Sequence, residues 1–281
     1  METIIGLGDA GCAIAHQFTE YPQYEVYKIN SKKSTEDNYL YITPQTTHED
    51  YESKTRLKKA FFEKISGPIL FIVGGSGDIS GACLRILERL KDHPTYVLYI
   101  KPDTSLLPEL KERQHNVVFN VLQQYARSAM LERLYIVENS KIEQAIGEVP
   151  VIGYHDTINR LLVSTIHMIN ICVNTDAAID TSTDPLPMCR ISSIGLANAD
   201  TGEMRPFCDI EHPRQIVFYY AINNERLKTD GTLLQKLTSL VKAKNEEKLR
   251  ASFAIYPTEY EQDYAYYAVH SSYVQGQKID L

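Results

Sequence analysis

The chain has 281 residues, 43% apolar and 23% charged, enough for one large domain or two modest ones around a packed core. Its formal net charge of -7 argues against bulk binding to nucleic-acid phosphates or an anionic membrane surface. Five scattered cysteines without a Cys-x-x-Cys pair, and histidines without metal-like spacing, suggest neither a zinc site nor a disulfide framework and fit a reducing cytoplasm.

The first element is a strand over Thr3–Gly6, which leaves no room for a signal peptide, so a cytoplasmic location is expected. No apolar run reaches the ~20 residues that span a bilayer. The strand runs into Gly6-Leu7-Gly8-Asp9-Ala10-Gly11-Cys12, and a helical stretch leaves it over Ala13–Thr19. Strand, Gly-x-Gly-x-x-Gly, then helix is how an α/β protein brings backbone N–H groups up to phosphates. Further strands are predicted at Tyr24–Ile29, Ile69–Val73, Tyr96–Ile100 and Leu134–Val137, with helical patterns at Tyr51–Ile65, Gly81–Lys91 and Asn116–Glu132. Such alternation predicts a mostly parallel sheet with helices on both faces.

A second glycine cluster, Gly74-Gly75-Ser76-Gly77-Asp78-Ile79-Ser80-Gly81, again joins a buried strand to a helix. A dinucleotide fold needs one such turn, whereas two on neighbouring strands can wrap a polyphosphate from both sides. A P-loop would need Lys followed by Ser or Thr after the glycine, and no such pair is present. A dinucleotide enzyme also expects an acidic residue after the second strand, where Asn30 stands.

A long apolar-periodic helix follows over Tyr154–Cys172, then a polar segment over Asn174–Pro187. Beyond it, strands at Arg190–Ala197, Gln215–Ile222, Ala251–Tyr256 and Tyr264–His270, with one strong helix at Thr232–Lys244, predict a mixed or antiparallel sheet. The division expected is a nucleotide-binding domain over 1–153, a central helix over 154–173 and a C-terminal domain over 174–281. The tyrosines at 256, 260, 264, 266, 267 and 273 read as strand packing with hydroxyls at the rim, or as an interface.

Several of these segments resemble the tubulin/FtsZ superfamily, over nearly the whole chain. The first glycine turn is similar to that family's opening phosphate loop, and Gly74–Ala82 to its glycine-rich signature loop. Ile29-Asn30-Ser31 resembles the family's Asn-Thr-Asp, Lys101-Pro102 its Lys-Pro-Phe, and Ile136-Val137-Glu138-Asn139 its Ile-Pro-Asn-Asp or Val-Asp-Asn. Asn159-Arg160-Leu161-Leu162 is very close to tubulin's Asn-Arg-Leu-Ile. The resemblance implies a Rossmann-like parallel-sheet GTP-binding domain, a long central helix and a smaller α+β C-terminal domain. It implies GTP or GDP as ligand, with Mg²⁺, and head-to-tail filaments of the chain itself. Neither membrane insertion nor direct nucleic-acid binding is expected.

By this resemblance the nucleotide is held by Gly8, Asp9, Ala10, Gly11, Cys12, Asn30, Gly74, Gly75, Ser76, Gly77, Ser80 and Gly81. Glu109 and Arg113 have the spacing of the family's ribose-contacting Glu and its nearby Arg. Asn139 and Asn159 read guanine, since an amide offers both acceptor and donor. Tyr154 or His155, about one turn before Asn159, stacks on the base. Hydrolysis is completed in trans by Asn174, Asp176 and Asp180, corresponding to the family's Asn-x-Asp-x-x-Asp.

The chain departs from the pattern at defined places. Asp180 comes one residue late, the central helix is short, and Asp9 and Asp78 stand where phosphate loops avoid charge. Each of the latter two either holds a cation or weakens the site. A non-hydrolysing structural member is the alternative reading. The chain stops at Leu281 without a long acidic tail, so recruitment through such a tail is not expected.

Overall fold

The computed structural model describes residues 1–276; the chain end at Leu281 lies outside them. The first half alternates as expected: β1 (Thr3–Leu7), α1 (Gly8–Gln17), β2 (Glu25–Asn30), β3 (Tyr39–Tyr41), α2 (His48–Lys54), α3 (Lys59–Phe62), β4 (Ile69–Gly74), α4 (Cys83–Leu90), β5 (Thr95–Lys101), α5 (Glu109–Arg127), β6 (Arg133–Glu138) and α6 (Asn139–Ile146). The long helix α7 (Tyr154–Cys172) follows. The second half holds β7 (Ile179–Asp180), β8 (Ile191–Ala197), β9 (Met204–Pro206), β10 (Gln215–Asn223), α8 (Asn224–Thr229), α9 (Leu233–Lys242), β11 (Arg250–Thr258) and β12 (Tyr264–Ser271).

The helix expected over Tyr51–Ile65 is two short ones, because the chain turns extended at Thr55 (φ -61°, ψ 123°). The strand β3 and the helix α6 carry no strong periodic signal and were not expected. The first-half strands pair in parallel in the order β3-β2-β1-β4-β5-β6. That is the doubly wound order, whose crevice for ligands opens past the carboxyl ends of the strands at the β1/β4 switch point.

The sheet does not stop there. Leu134 and Tyr135 of β6 pair in parallel with Ile191 and Ser192 of β8, and the order continues β8-β12-β10-β11-β7. The continuation is mixed, as expected: β8, β12 and β10 are antiparallel neighbours, while β10 and β11 are parallel.

On one sheet face α4 and α5 bury Ile86, Leu90, Phe119 and Leu122 against Phe71 and Tyr99. On the other, α7 lays Ile158, Leu162, Ile166 and Ile169 over Leu70 and Leu98 of the first half and Val217 and Tyr266 of the second. Helix α7 therefore spans both halves with one apolar stripe. Leu233, Leu237 and Val241 of α9 cover the opposite face of the second half. In the tyrosine cluster, Tyr256, Tyr266 and Tyr267 are core residues, whereas Tyr260 and Tyr264 are exposed. No helix among the described residues is long and apolar enough to cross a membrane.

Candidate functional site: a cleft at the switch point

A cleft of about 860 Å³ opens past the carboxyl ends of the parallel strands. The carboxyl ends of β1, β4, β5 and β6 deliver its lining: Asp9 and Ala10 after β1, Gly74 to Ser76 at β4, Lys101 to Thr104 at β5, Glu138 and Asn139 at β6. Ser140 and Glu143 of α6 and Tyr154, His155 and Asn159 of α7 form the far wall.

Helix α1 begins at once, with Gly8 at φ +72°, a conformation an L side chain rarely adopts. The free N–H groups of its first turn thus meet the cleft at Asp9 and Ala10. A Cβ on Gly11 would lie 2.5 Å from the carbonyl oxygen of Ile72, so this glycine lets α1 press against β4.

The whole-chain architecture is similar to that of several proteins of known structure. FtsZ from M. jannaschii, seen as an empty dimer, superposes with a TM-score of 0.67 at 12% identity, over 95% of this chain and 87% of that one. TubZ of Bacillus thuringiensis serovar israelensis, in a GTPγS-form protofilament, gives 0.69 at 15% identity, over 96% and 86%. CetZ1 from Haloferax volcanii, a GDP-bound monomer, gives 0.61 at 17% identity, over 98% and 95%. The chain has the tubulin/FtsZ fold. No protein-family model and no curated protein matches it.

Within this tubulin/FtsZ fold the expected residues separate into groups. Asp9, Ala10, Gly74, Gly75, Ser76, Asn139, Tyr154 and Asn159 line the cleft together. Both candidates for base stacking are present, since His155 lines it as well. The Tyr154 hydroxyl donates to Glu143 Oε2 at 2.8 Å, while His155 is exposed.

A second group supports the cleft from behind. Gly8 and Gly11 are buried in the turn and helix. Cys12 Sγ donates to the carbonyls of Gly6 (3.4 Å) and Ile29 (3.5 Å), and burial pushes its thiol up to about 11, which leaves it an unreactive packing group. Gly77 opens a 3-10 turn over Asp78–Ala82, its carbonyl accepting from the Ser80 hydroxyl at 2.7 Å. Ser80 and Gly81 are buried; a Cβ on Gly81 would meet the His48 carbonyl oxygen at 2.1 Å, so this end of the loop packs on α2. Of the loop, Gly74, Gly75 and Ser76 line the cleft, whereas Ser80 and Gly81 lie behind it.

The two anomalous carboxylates are ion-paired. Asp9 Oδ2 accepts from Lys32 Nζ at 2.7 Å and Oδ1 from Asn30 Nδ2 at 3.0 Å. Lys32, then Asn30, holds this carboxyl below the usual carboxylate range. Asn30 itself is buried at the end of β2 and meets the cleft through Asp9. Asp78 pairs with Lys111 of α5. Neither lysine was singled out from sequence, because each comes from a different element.

Two expected sets lie elsewhere. Glu109 and Arg113 form an exposed ion pair with each other on the first turn of α5 and do not line the cleft. Asn174 caps the turn after α7, its Nδ2 donating to the Asn170 carbonyl at 2.7 Å. Asp176 is exposed in that turn, and Asp180 sits on β7 with Oδ1 accepting from Ser182 N (2.7 Å) and Oγ (2.5 Å). Asn174 and Asp176 directly follow the far end of the 19-residue α7 from Tyr154, roughly 28 Å away along the helix.

Sequence reading also passed over Lys101, Asp103, Glu138 and Glu143 as site residues. Lys101 Nζ donates to Glu138 Oε1 at 2.7 Å. Burial opposes the lysine's charge, but Glu138 outweighs it and raises the ammonium above its ordinary value. The signal for Glu143 was available: it stands four residues after Asn139, one helical turn, once α6 is recognised as a helix. Among the described residues no group of three or more His, Cys, Asp or Glu converges as a metal cage. Asp9 is engaged by Lys32 and Asn30, and Asp103 keeps one carboxylate oxygen unengaged by the described residues at the cleft, a sparse donor set that suits only Mg²⁺ held mainly by phosphate oxygens and water.

Proposed function

We propose that the cleft binds a guanine nucleotide and that the chain assembles head to tail, each copy completing the nucleotide site of the next. The observation that carries this reading is the separation along α7. The cleft lies at its N-terminal end, and Asn174 and Asp176 directly after its C-terminal end, with Asp180 on β7 beyond them. One copy cannot bring them together across roughly 28 Å of rigid helix; a second copy stacked along the same axis does. Residues 1–153 then hold the nucleotide, 154–173 set the spacing, and 174–281 carry the activating and assembly surface. Apolar groups stand at both ends, as such a contact needs: Val151 and Ile152 are 91% and 95% exposed beside Tyr154, and Val173 is 56% exposed after α7. A heterologous contact of this kind does not close and propagates into filaments.

In this site the α1 N-terminus and the Gly74–Ser76 backbone bind phosphates. Asn139 and Asn159 read the base, and Asp176 of the neighbour polarises the attacking water. Lys32 and Lys101 answer two of the cleft's four carboxylates, and Mg²⁺ carried in with the phosphates would supply the remaining counter-charge.

Identification of the nucleotide released from purified protein tests the reading, together with pelleting in GTP and Mg²⁺. Guanine nucleotide and GTP-dependent pelleting are expected. NAD(P), or no nucleotide and no GTP binding, sinks it. The second reading, a filament without turnover, draws on Asp180, whose carboxylate is already engaged by Ser182.

A further inference from the structure

We propose that Glu143 reads the N1–H and N2–H₂ donor edge of the bound base and makes the cleft selective for guanine, with Tyr154 as its positioning residue. This rests on the guanine-nucleotide reading of the cleft and deepens it.

Four carboxylates face the cleft: Asp9, Asp103, Glu138 and Glu143. Asp9 is taken by Lys32 and Asn30. Asp103 Oδ1 accepts from Ser105 N (3.0 Å) and Oγ (2.6 Å), capping the next turn. Glu138 is taken by Lys101. Glu143 has one partner among the described residues, the Tyr154 hydroxyl at 2.8 Å on Oε2. An ionised carboxylate accepts about four hydrogen bonds and donates none. Glu143 is therefore half-buried at a ligand cleft with most of its acceptor capacity unspent.

Its neighbours say what it faces. Asn139 is one turn earlier on the same face of α6, and Tyr154 and Asn159 come from α7 at the same end of the cleft. The phosphate-directed groups, the α1 N-terminus and Gly74–Ser76, belong to the loops after β1 and β4. The unspent acceptor is thus at the end left for the base. Guanine offers two adjacent donors, N1–H and N2–H₂, which match two carboxylate oxygens with charge-assisted bonds. Adenine turns the N1 lone pair toward the same place, xanthine replaces the amino donor with a carbonyl oxygen, and hypoxanthine keeps only N1–H. A carboxylate there favours guanine over all three. Tyr154 fixes the carboxylate's rotation. Burial, then the Glu143 charge, pushes its hydroxyl up to about 12, so it stays protonated and donating.

The test is competition binding of GTP, ITP, XTP and ATP, with Mg²⁺, to the full chain and to Glu143→Gln and Tyr154→Phe. The wild type should rank GTP above ITP, XTP and ATP. Glu143→Gln should lose about 10–100-fold in GTP affinity and bring the GTP/ITP ratio near one. XTP should gain, because the glutamine amide donates to the C2 carbonyl. Tyr154→Phe should keep the order but narrow the GTP/ITP ratio, which a general loosening of the α6–α7 contact would not do. Variants that weaken all four nucleotides equally overturn the role of Glu143 and leave the nucleotide reading standing. A wild type that binds no guanine nucleotide overturns both. Glu143→Asp, which keeps the carboxylate, must retain GTP over XTP even if the amide variant fails to fold.

Discussion

Asp9 and Asp78 show how a residue that looks wrong by its position is explained by its partner. A carboxylate at a phosphate loop repels its ligand, yet Lys32 and Lys111 neutralise these two. Beneath the same loop, the Tyr99 hydroxyl and His115 Nδ1 share a 2.7 Å hydrogen bond under Gly75, whose Cβ would strike that hydroxyl at 2.2 Å. Burial, then Lys101, lowers His115 to about 4 from 6.5, so it is neutral in the fold. Between those values the unfolded chain binds the extra proton. Stability is therefore fully present above about pH 6.5 and falls as pH drops toward 4, by on the order of 2–3 kcal/mol from this residue. His270, lowered further by burial, adds in the same direction. Urea midpoints measured from pH 7 to pH 4.5 should decline, and His115→Gln should flatten the decline. An unchanged slope would show that His115 takes up its proton without unfolding.

At the scale of elements, the join between the two halves rests on a short pairing and a polar clasp. Only Leu134 and Tyr135 of β6 pair with β8. Arg133 Nη1 reinforces them, donating to the Cys189 carbonyl (2.8 Å), Ser192 Oγ (3.2 Å) and His270 Nδ1 (2.9 Å) across β8 and β12. Arg133→Met removes a charged donor from three buried acceptors and should cost about 2–3 kcal/mol in urea unfolding. A cost below about 0.5 kcal/mol would mean that α7 alone holds the halves together. Elements with strong periodicity were legible in the sequence: β1, β4, β5, β8, β10, β12 and α7 fall within a residue or two of expectation. The strand β3 and the helix α6 were not, because three residues carry no period and α6 shows its apolar face only when packed. Missing α6 also hid Glu143, whose meaning depends on sharing a face with Asn139.

At the scale of the molecule, the cleft and the Asp176 turn stand at opposite ends of α7, so turnover should depend on assembly. GTP hydrolysis per molecule should rise steeply with protein concentration and be lost in Asp176→Ala. Ala10→Glu, which places a carboxylate on the exposed cleft lip where the proposed phosphates would sit, should be inactive through its own cleft. Mixing the two inactive variants should restore part of the activity, because an intact cleft from one then meets an intact Asp176 from the other. Absence of recovery, when both variants still pellet together, would count against completion in trans.

The sequence by itself determined the alternating α/β half, the two glycine turns, the central helix and the mixed second half. These follow from local conformational preference and from apolar period, which are written along the chain. Only the tertiary structure decided the continuous sheet through β6 and β8, the lysines that answer Asp9 and Asp78, and the separation of Gly75-Ser76 at the cleft from Ser80-Gly81 behind it. It also decided that Glu143 keeps most of its acceptor capacity at the cleft. Each of these depends on groups far apart in sequence meeting within hydrogen-bond distance, and no local period encodes such a meeting.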